Sequence, residues 1–200
     1  MTAFRQDEKI KAMTKALWKP GTMLYPAPAV MVSCGNKPEN YNIITVAWTG
    51  TLCSEPPMAY ISVRPTRHSH SIIEETGEFV INLVTKKLTF AVDYCGVKSG
   101  KNINKFKQLK LTPIKGEQVA APLIKQSPVN IECRVTEIKK LGSHDMFMAK
   151  VLCIHADKQY IDKKGAFDLA AAELICYSHG KYYLLGKELG HFGFSVRKKK

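Results

Sequence analysis

Apolar and polar positions alternate over Met58–Arg64, with Ala59, Ile61 and Val63 on one face and Tyr60, Ser62 and Arg64 on the other. A strand of this kind buries one side and offers polar groups on its opposite side. Over Val129–Val135 the same period sets Val129, Ile131, Cys133 and Val135 against Asn130, Glu132 and Arg134, which predicts a half-buried antiparallel strand. Met146–Ile154 is apolar on both faces and reads as a central strand. Ala29–Val32, Asn42–Trp48 and Phe79–Val84 add further strands, and Ile175–Tyr177 with Lys181–Leu185 reads as a closing hairpin. The turn signals Gly35-Asn36-Lys37-Pro38 make the opening a β-meander, and the link from Trp48 to Met58 is turn-rich, with Gly50 and Pro56-Pro57.

Helical spacing is scarcer. Ile10, Met13 and Leu17 predict an amphipathic helix over Asp7–Lys19, ended by Pro20-Gly21. Lys86–Val97 reads as helical and Ala166–Leu174 as a short helix. Ser71 and Glu74 have capping-box spacing, with Gly77 placed to end a short helix after them. That helix would start inside a patch of Arg67, His68, Ser69, His70 and Ser71, where free N–H groups and the helix dipole favour an anion, a phosphate above all. The patch also reads as a plain surface cap with solvated histidines. Lys98, Ser99 and Lys101, in a small basic loop, read either as a second set of phosphate contacts or as exposed surface. Asn82 would hydrogen-bond a ligand heterocycle or brace the backbone, and His144-Asp145 would be a polar pair near a site or part of a turn.

Length, charge and cysteines narrow the class. Two hundred residues suit one domain with a proper core. No apolar run is long enough to span a bilayer and the opening residues carry no signal-peptide pattern, so no membrane partner and a cytoplasmic location are expected. Six cysteines are scattered without a C-x-x-C pair, which argues against a zinc site and for reduced thiols; no metal is expected. A net charge of +13 suits an anionic ligand or a generally basic surface. The lysines form no block beyond Arg197–Lys200, so nucleic acid is not an expected partner. Neither a G-x-G-x-x-G nor a P-loop is present. The tail from Gly186 to Arg197 carries Phe192, Phe194 and His191, a composition that predicts docking on the domain, on a partner subunit or on a flat ligand.

Taken in order, the stretches Asn42–Trp48, Glu55-Pro56-Pro57, Ile61–Pro65, Arg67–Ser71, Gly77–Asn82, Cys95–Lys101 with Lys105-Phe106, and Gly193–Val196 resemble the flavin reductase-like family, which includes the flavoredoxins. The resemblance runs through nearly the whole chain beyond about residue 20. It implies a mainly β fold, an antiparallel Greek-key split β-barrel with a few short peripheral helices, usually a homodimer holding FMN near the subunit interface. Carried onto this chain, it places Thr45, Ala47, Trp48 and Thr49 along the isoalloxazine. Ser62 and Arg64 would lie beside the ribityl-phosphate, with His68, Ser69, His70 and Ser71 around the phosphate. Asn82 would face the ring, and Lys98, Ser99, Lys101 and Phe106 would close the site. Many reductases of the wider family carry serines where this chain has Ala47 and Trp48. His191 is a loose counterpart of their nicotinamide-contacting histidine.

The chemistry implied is two-electron transfer from NADH or NADPH through FMN to an acceptor, with the cofactor doing the redox step and the protein supplying position and electrostatics. Cys53 and Cys95 are candidate redox thiols or simply packed ones. The alternative is a flavoredoxin-type electron carrier, reduced by a redox protein partner and oxidising nicotinamides poorly. A basic module for anionic polymers is the reading from a third class, and it leaves the Thr45–Arg64 pattern without a purpose.

Overall fold

The computed structural model describes residues 15–197. Of the helix expected over Asp7–Lys19, residues 7–14 lie outside that span, as do residues 198–200 of the basic run; residues 15–19 are irregular and exposed. The chain forms β1 (Ala27–Pro28), β2 (Val30–Cys34), β3 (Asn42–Val46), β4 (Thr49–Cys53) and β5 (Met58–Val63) before α1 (His68–Thr76). Then come β6 (Glu78–Leu83), α2 (Thr89–Val97), α3 (Lys105–Gln108), β7 (Pro113–Ile114) and β8 (Leu123–Ile124). Two long strands, β9 (Val129–Lys140) and β10 (Asp145–Ala156), precede the final hairpin of β11 (Ile175–Ser178) and β12 (Lys181–Leu184).

Seven strands make one antiparallel sheet in the order β3-β2-β6-β9-β10-β5-β4. It is the curled half-barrel of the split-barrel architecture, with few and short helices. Its two edge strands, β3 and β4, follow one another in the chain and are joined only by Ala47-Trp48. The sheet interior is filled from alternate positions of the strands, by Val30, Val32, Ile61, Phe79 and Phe147 among others, and α1 adds Ile72 and Ile73. On the opposite face Met31, Ile43, Val92 and Phe106 form a second core beneath α2 and α3. A small sheet, β1-β11-β12, flanks this second core through Ile175, Tyr177 and Tyr182.

Three expectations need correction. The link after Trp48 is itself a strand, because β4 pairs with β5 through Thr49↔Ile61, Gly50↔Tyr60 and Thr51↔Ala59. Tertiary pairing overrides a local composition that favours a turn. Ala166–Leu174 forms turns with no helix. Here the Asp162 carboxylate accepts from the N–H groups of Lys164 and Ala166, and Asp168 accepts from Ala171 N, bonds that compete with a helical ladder. Finally, α1 starts at His68, four residues ahead of Ile72. Ser69, His70, Ile72 and Ile73 make one buried stripe at helical spacing, so the interior draws in the histidine and serine that precede the isoleucines. Gly77 ends the helix in the left-handed region, its N–H donating to Ile73 O at 2.8 Å.

Candidate functional site

The polar face of β5 and the Ala47-Trp48 link open onto a groove with three connected parts. Its wide end has a volume of about 810 Å³ and is lined by Met23, Leu24, Trp48, Tyr60, Leu141 and Met146. The waist, about 280 Å³, shares Ala47, Trp48, Ser62 and His144 with the wide end and adds Thr45, Arg64, Arg67, Tyr177 and Tyr182. The narrow end, about 70 Å³, shares Ile44 and Arg67 with the waist and is walled by His68, Ser69, Lys98, Ser99 and Lys105. Apolar and aromatic groups thus dominate one end of the groove, cations and hydroxyls the other.

Local structure fixes each wall. Ser62 N donates to Trp48 O at 2.8 Å and Thr49 Oγ1 to Tyr60 O at 2.6 Å, so the Trp48 link is pinned to β5. The Trp48 ring lies 6.2 Å from the Tyr25 ring, which in turn meets Tyr177 at 5.9 Å. Thr45 Oγ1 donates to Val92 O, joining β3 to α2. The β9–β10 hairpin tip brings His144 over the groove, its Nδ1 2.9 Å from Ser143 Oγ. Burial pushes the His144 pKa down from its ordinary value, and Arg64 and Arg67 push it the same way.

The narrow end gathers cations, hydroxyls and the start of α1. Arg67 is the N-cap residue of α1 but provides no side-chain cap, so the first N–H groups of the helix remain available beside it. Asn42 Nδ2 donates to Ser69 Oγ at 2.8 Å, which fixes the serine in the wall of the narrow end. Gly100 closes over Asn42 so tightly that a Cβ there would fall 2.0 Å from Asn42 Oδ1. Lys105, 2% exposed, donates from Nζ to Ile43 O at 2.6 Å and to Cys95 O at 2.9 Å, with its third hydrogen to spare. Burial pushes the Lys105 pKa below the ordinary lysine value; the nearby thiols Cys95 and Cys34 oppose the shift and Arg67 adds to it.

Thr45, Ala47, Trp48, Thr49, Ser62, Arg64, His68, Ser69, Lys98 and Ser99 all line this groove. Six other candidates do not. Asn82 is fully buried; its Nδ2 reaches Met31 O and Ser33 Oγ, and its Oδ1 accepts from Ile124 N at 3.0 Å and Asn130 Nδ2 at 2.7 Å. It braces the sheet and has no capacity left for a ligand. His70 turns into the core, where Nε2 meets Asp145 Oδ2 at 2.9 Å and the ring packs edge-on against Phe147. Phe106 belongs to the second core, 6.3 Å from Tyr41. Ser71 is exposed and donates to His68 O, and Lys101 is exposed beside the pocket without lining it. The tail carrying His191 is exposed throughout, with Phe192 at 107% exposure, so it makes no dock on its own chain. Cys95 lines the narrow end but is buried, and desolvation raises its thiol to about 11, which disfavours the thiolate at neutral pH.

Arg67, expected in the anion patch, does line the waist and the narrow end. Reading the sequence missed other wall residues, among them Tyr177 and Tyr182, which come to the waist from the final hairpin, and Lys105, which had only its neighbour Phe106 as a signal. A lysine in a short amphipathic helix gives no sign in sequence that its ammonium points inward.

Residues 22–184 match the model of the flavin reductase like domain. An uncharacterised protein of Archaeoglobus fulgidus is 33% identical over 135 residues, 67% of this chain and 75% of the relative. The structure of flavoredoxin from Desulfovibrio vulgaris (Miyazaki F) is similar with a TM-score of 0.85 and 28% identity, covering 92% of this chain and 100% of that one. A flavoredoxin from Methanosarcina acetivorans shares the fold, with a TM-score of 0.82 at 23% identity, over 92% of this chain and 100% of that one.

Proposed function

The chain belongs to the flavin reductase-like family, and from that premise we propose that it is an FMN-dependent oxidoreductase fed by NADH or NADPH. The observation that carries the proposal is the continuity of the groove: an aromatic wide end, a polar waist and a cationic narrow end share lining residues in series. That sequence of environments matches a flat heterocycle, a hydroxylated linker and a terminal phosphate. When bound, FMN supplies the two-electron chemistry between a nicotinamide and an acceptor.

The protein's part is positioning. Ala47, Trp48, Thr45 and Ser62 would flank the ring system, and Arg64 would lie alongside the linker. Arg67, Lys98, Lys105, Ser99, Ser69 and the start of α1 would hold the phosphate. The guanidinium gives directional bonds and the lysines act as point charges. The narrow end favours the phosphorylated flavin over riboflavin, because uncompensated cations would otherwise face one another there. No protein acid or base is needed for hydride transfer, and among the described residues the groove is lined by no carboxylate.

A second copy of the chain would complete the wide end. Leu24, at 92% exposure in the wall of the wide end, and Leu189, Phe192 and Phe194 in the tail are apolar groups left uncovered. Homodimer formation through these segments accounts for them.

Reconstitution with FMN, removal of the excess, and anaerobic titration with NADH and then NADPH tests the reading. Bleaching of the retained flavin by one nicotinamide supports the reductase and names its donor. A flavin that bleaches only with dithionite replaces it by a flavoredoxin-type carrier, and no retained flavin refutes both.

A further inference from the structure

Away from the groove, on the outer side of β9 and β10, three chemically different side chains converge on one point. Glu132 Oε1 lies 2.6 Å from His155 Nε2, and Cys153 Sγ lies 3.6 Å from the same nitrogen. The donor atoms of all three are within 4.8 Å of one another, the one such trio among the described residues. From this geometry we infer that Glu132, Cys153 and His155 form a binding site for a divalent transition-metal ion, zinc by preference.

The backbone is arranged to make the trio. A β-bulge falls between Val151 and Cys153, so that Val151 faces Cys133 and Cys153 faces Glu132. The extra residue, Leu152, shifts the alternation of everything after it. In an unbulged ladder Leu152 and Ile154 would share the face of Glu132. With the bulge, Cys153 and His155 take that face and Ile154 is turned out to 60% exposure. The register therefore places a thiol and an imidazole beside a carboxylate and leaves an isoleucine in water.

Glu132 is held like a ligand. It is completely buried, and Glu117 N donates to Oε1 at 2.9 Å while Gln118 N and Val119 N donate to Oε2 at 2.7 and 2.9 Å. Three backbone donors on one buried carboxylate are the partners an anion takes. Gly116 allows the loop to close: a Cβ there would stand 3.0 Å from Glu132 Oε2. Such bonds fix a metal-ligating carboxylate in the manner of an outer shell.

The shape of the cluster excludes a nucleophilic triad. A relay needs the thiol on one imidazole nitrogen and the carboxylate on the other, whereas here both meet Nε2. Three donor atoms gathered within 4.8 Å of one another, from three different side chains, are what a shared ion requires. Zinc takes Cys, His and Glu together, with bonds of ~2.3 Å to sulfur and ~2.0–2.1 Å to nitrogen, which at a tetrahedral angle separates S and N by ~3.6 Å. The Sγ–Nε2 distance is already that value. The half-exposed His155 ring must swing away from Oε1 to open that contact to ~3.3 Å. Metal binding exchanges the Cys153 thiol proton for the metal–sulfur bond, and His155 keeps its remaining hydrogen on Nδ1. The exposed side of the cluster leaves the fourth position to water. A C-x-H step on one strand, with its carboxylate from the neighbouring strand, lies outside the C-x-x-C pattern that the sequence lacks.

Co²⁺ titrated into the full-length, thiol-reduced protein is the test. The expected result is one equivalent bound, with a thiolate-to-cobalt charge-transfer band and visible bands of tetrahedral intensity, all displaced by Zn²⁺. Cys153→Ser should abolish the charge-transfer band and His155→Gln should weaken binding ~10–100-fold or more, with Cys53→Ser unchanged as the thiol control. No thiolate band in the native protein overturns the site. So does a band that survives in Cys153→Ser, and neither outcome depends on flavin.

Discussion

Lys105 Nζ donates to the carbonyl of Ile43 at 2.6 Å, so a buried ammonium ties α3 to the outer edge of β3. Its second bond, to Cys95 O, ties in α2 as well. The charge stays at the narrow end of the groove because its stem is packed there, and its depressed pKa records the cost of keeping it.

That cost sets a pH dependence. The unfolded chain binds more protons than the native one between the lowered Lys105 pKa and the ordinary lysine value of 10.5, so this residue's contribution makes the ligand-free protein more stable as pH rises through that window. A bound phosphate pulls the pKa back up. FMN affinity should therefore fall as pH rises through the same window, by at most ~tenfold per unit, while a phosphate monoester stays doubly charged above its second pKa of ~6. Fluorescence titration at stepped pH should show this fall in the native protein and a flat profile in Lys105→Met.

Arg67 borders both the waist and the narrow end. Losing one charge-assisted contact of ~1.5–3 kcal/mol, Arg67→Ala should bind FMN ~10–100-fold more weakly and riboflavin as before. Equal losses for the two ligands would move the phosphate away from Arg67.

Trp48→Ala should behave in the opposite way. It removes aromatic contact worth ~0.5–1.5 kcal/mol at the wide end, so FMN and riboflavin should lose affinity by a similar factor of ~2–10. Paired titrations of both ligands measure it.

The strand alternation of Met58–Arg64 was enough to put Ser62 on the groove side and Ile61 inside, because one face of that strand is fully buried and fixes register. The hydroxyls and cations of two distant segments, the start of α1 at Ser69 and the loop at Ser99, were visible as separate weak signals; only the packing of α2 against β3 joins them. His70 and Asn82 were misplaced for one common reason. Their types suit ligand contacts, but their partners, Asp145 in one case and Ser33, Ile124 and Asn130 in the other, lie far away in the chain. A polar residue can be satisfied inside only by groups that sequence does not place beside it.

Asn82→Ala tests the bracing role. It strands Ile124 N in the interior and removes one of the two bonds of Asn130 Nδ2, so a loss of roughly 2–4 kcal/mol of folding stability is expected. Urea denaturation measures it, and the folded fraction should retain its flavin affinity.

Gly100→Ala adds no charge and removes none. Its Cβ would collide with Asn42, whose amide donates to Ser69. FMN affinity should drop by ~10-fold or more, about the value of a charge-assisted bond, with little change for riboflavin. Affinities of the variant for both ligands decide it.

The two edges of the seven-stranded sheet meet at a two-residue peptide, Ala47-Trp48, and that peptide is also a wall of the groove. Anything lodged against it works as a keystone, since the sheet can spread only by moving the strands that touch the guest. Amide protons of β3 and β4 should then exchange with solvent quickly in the vacant protein and slowly in the loaded one, while those of β9 hardly change. Loading would couple to folding there by mass action, so a cell short of cofactor would hold this protein with its seam breathing.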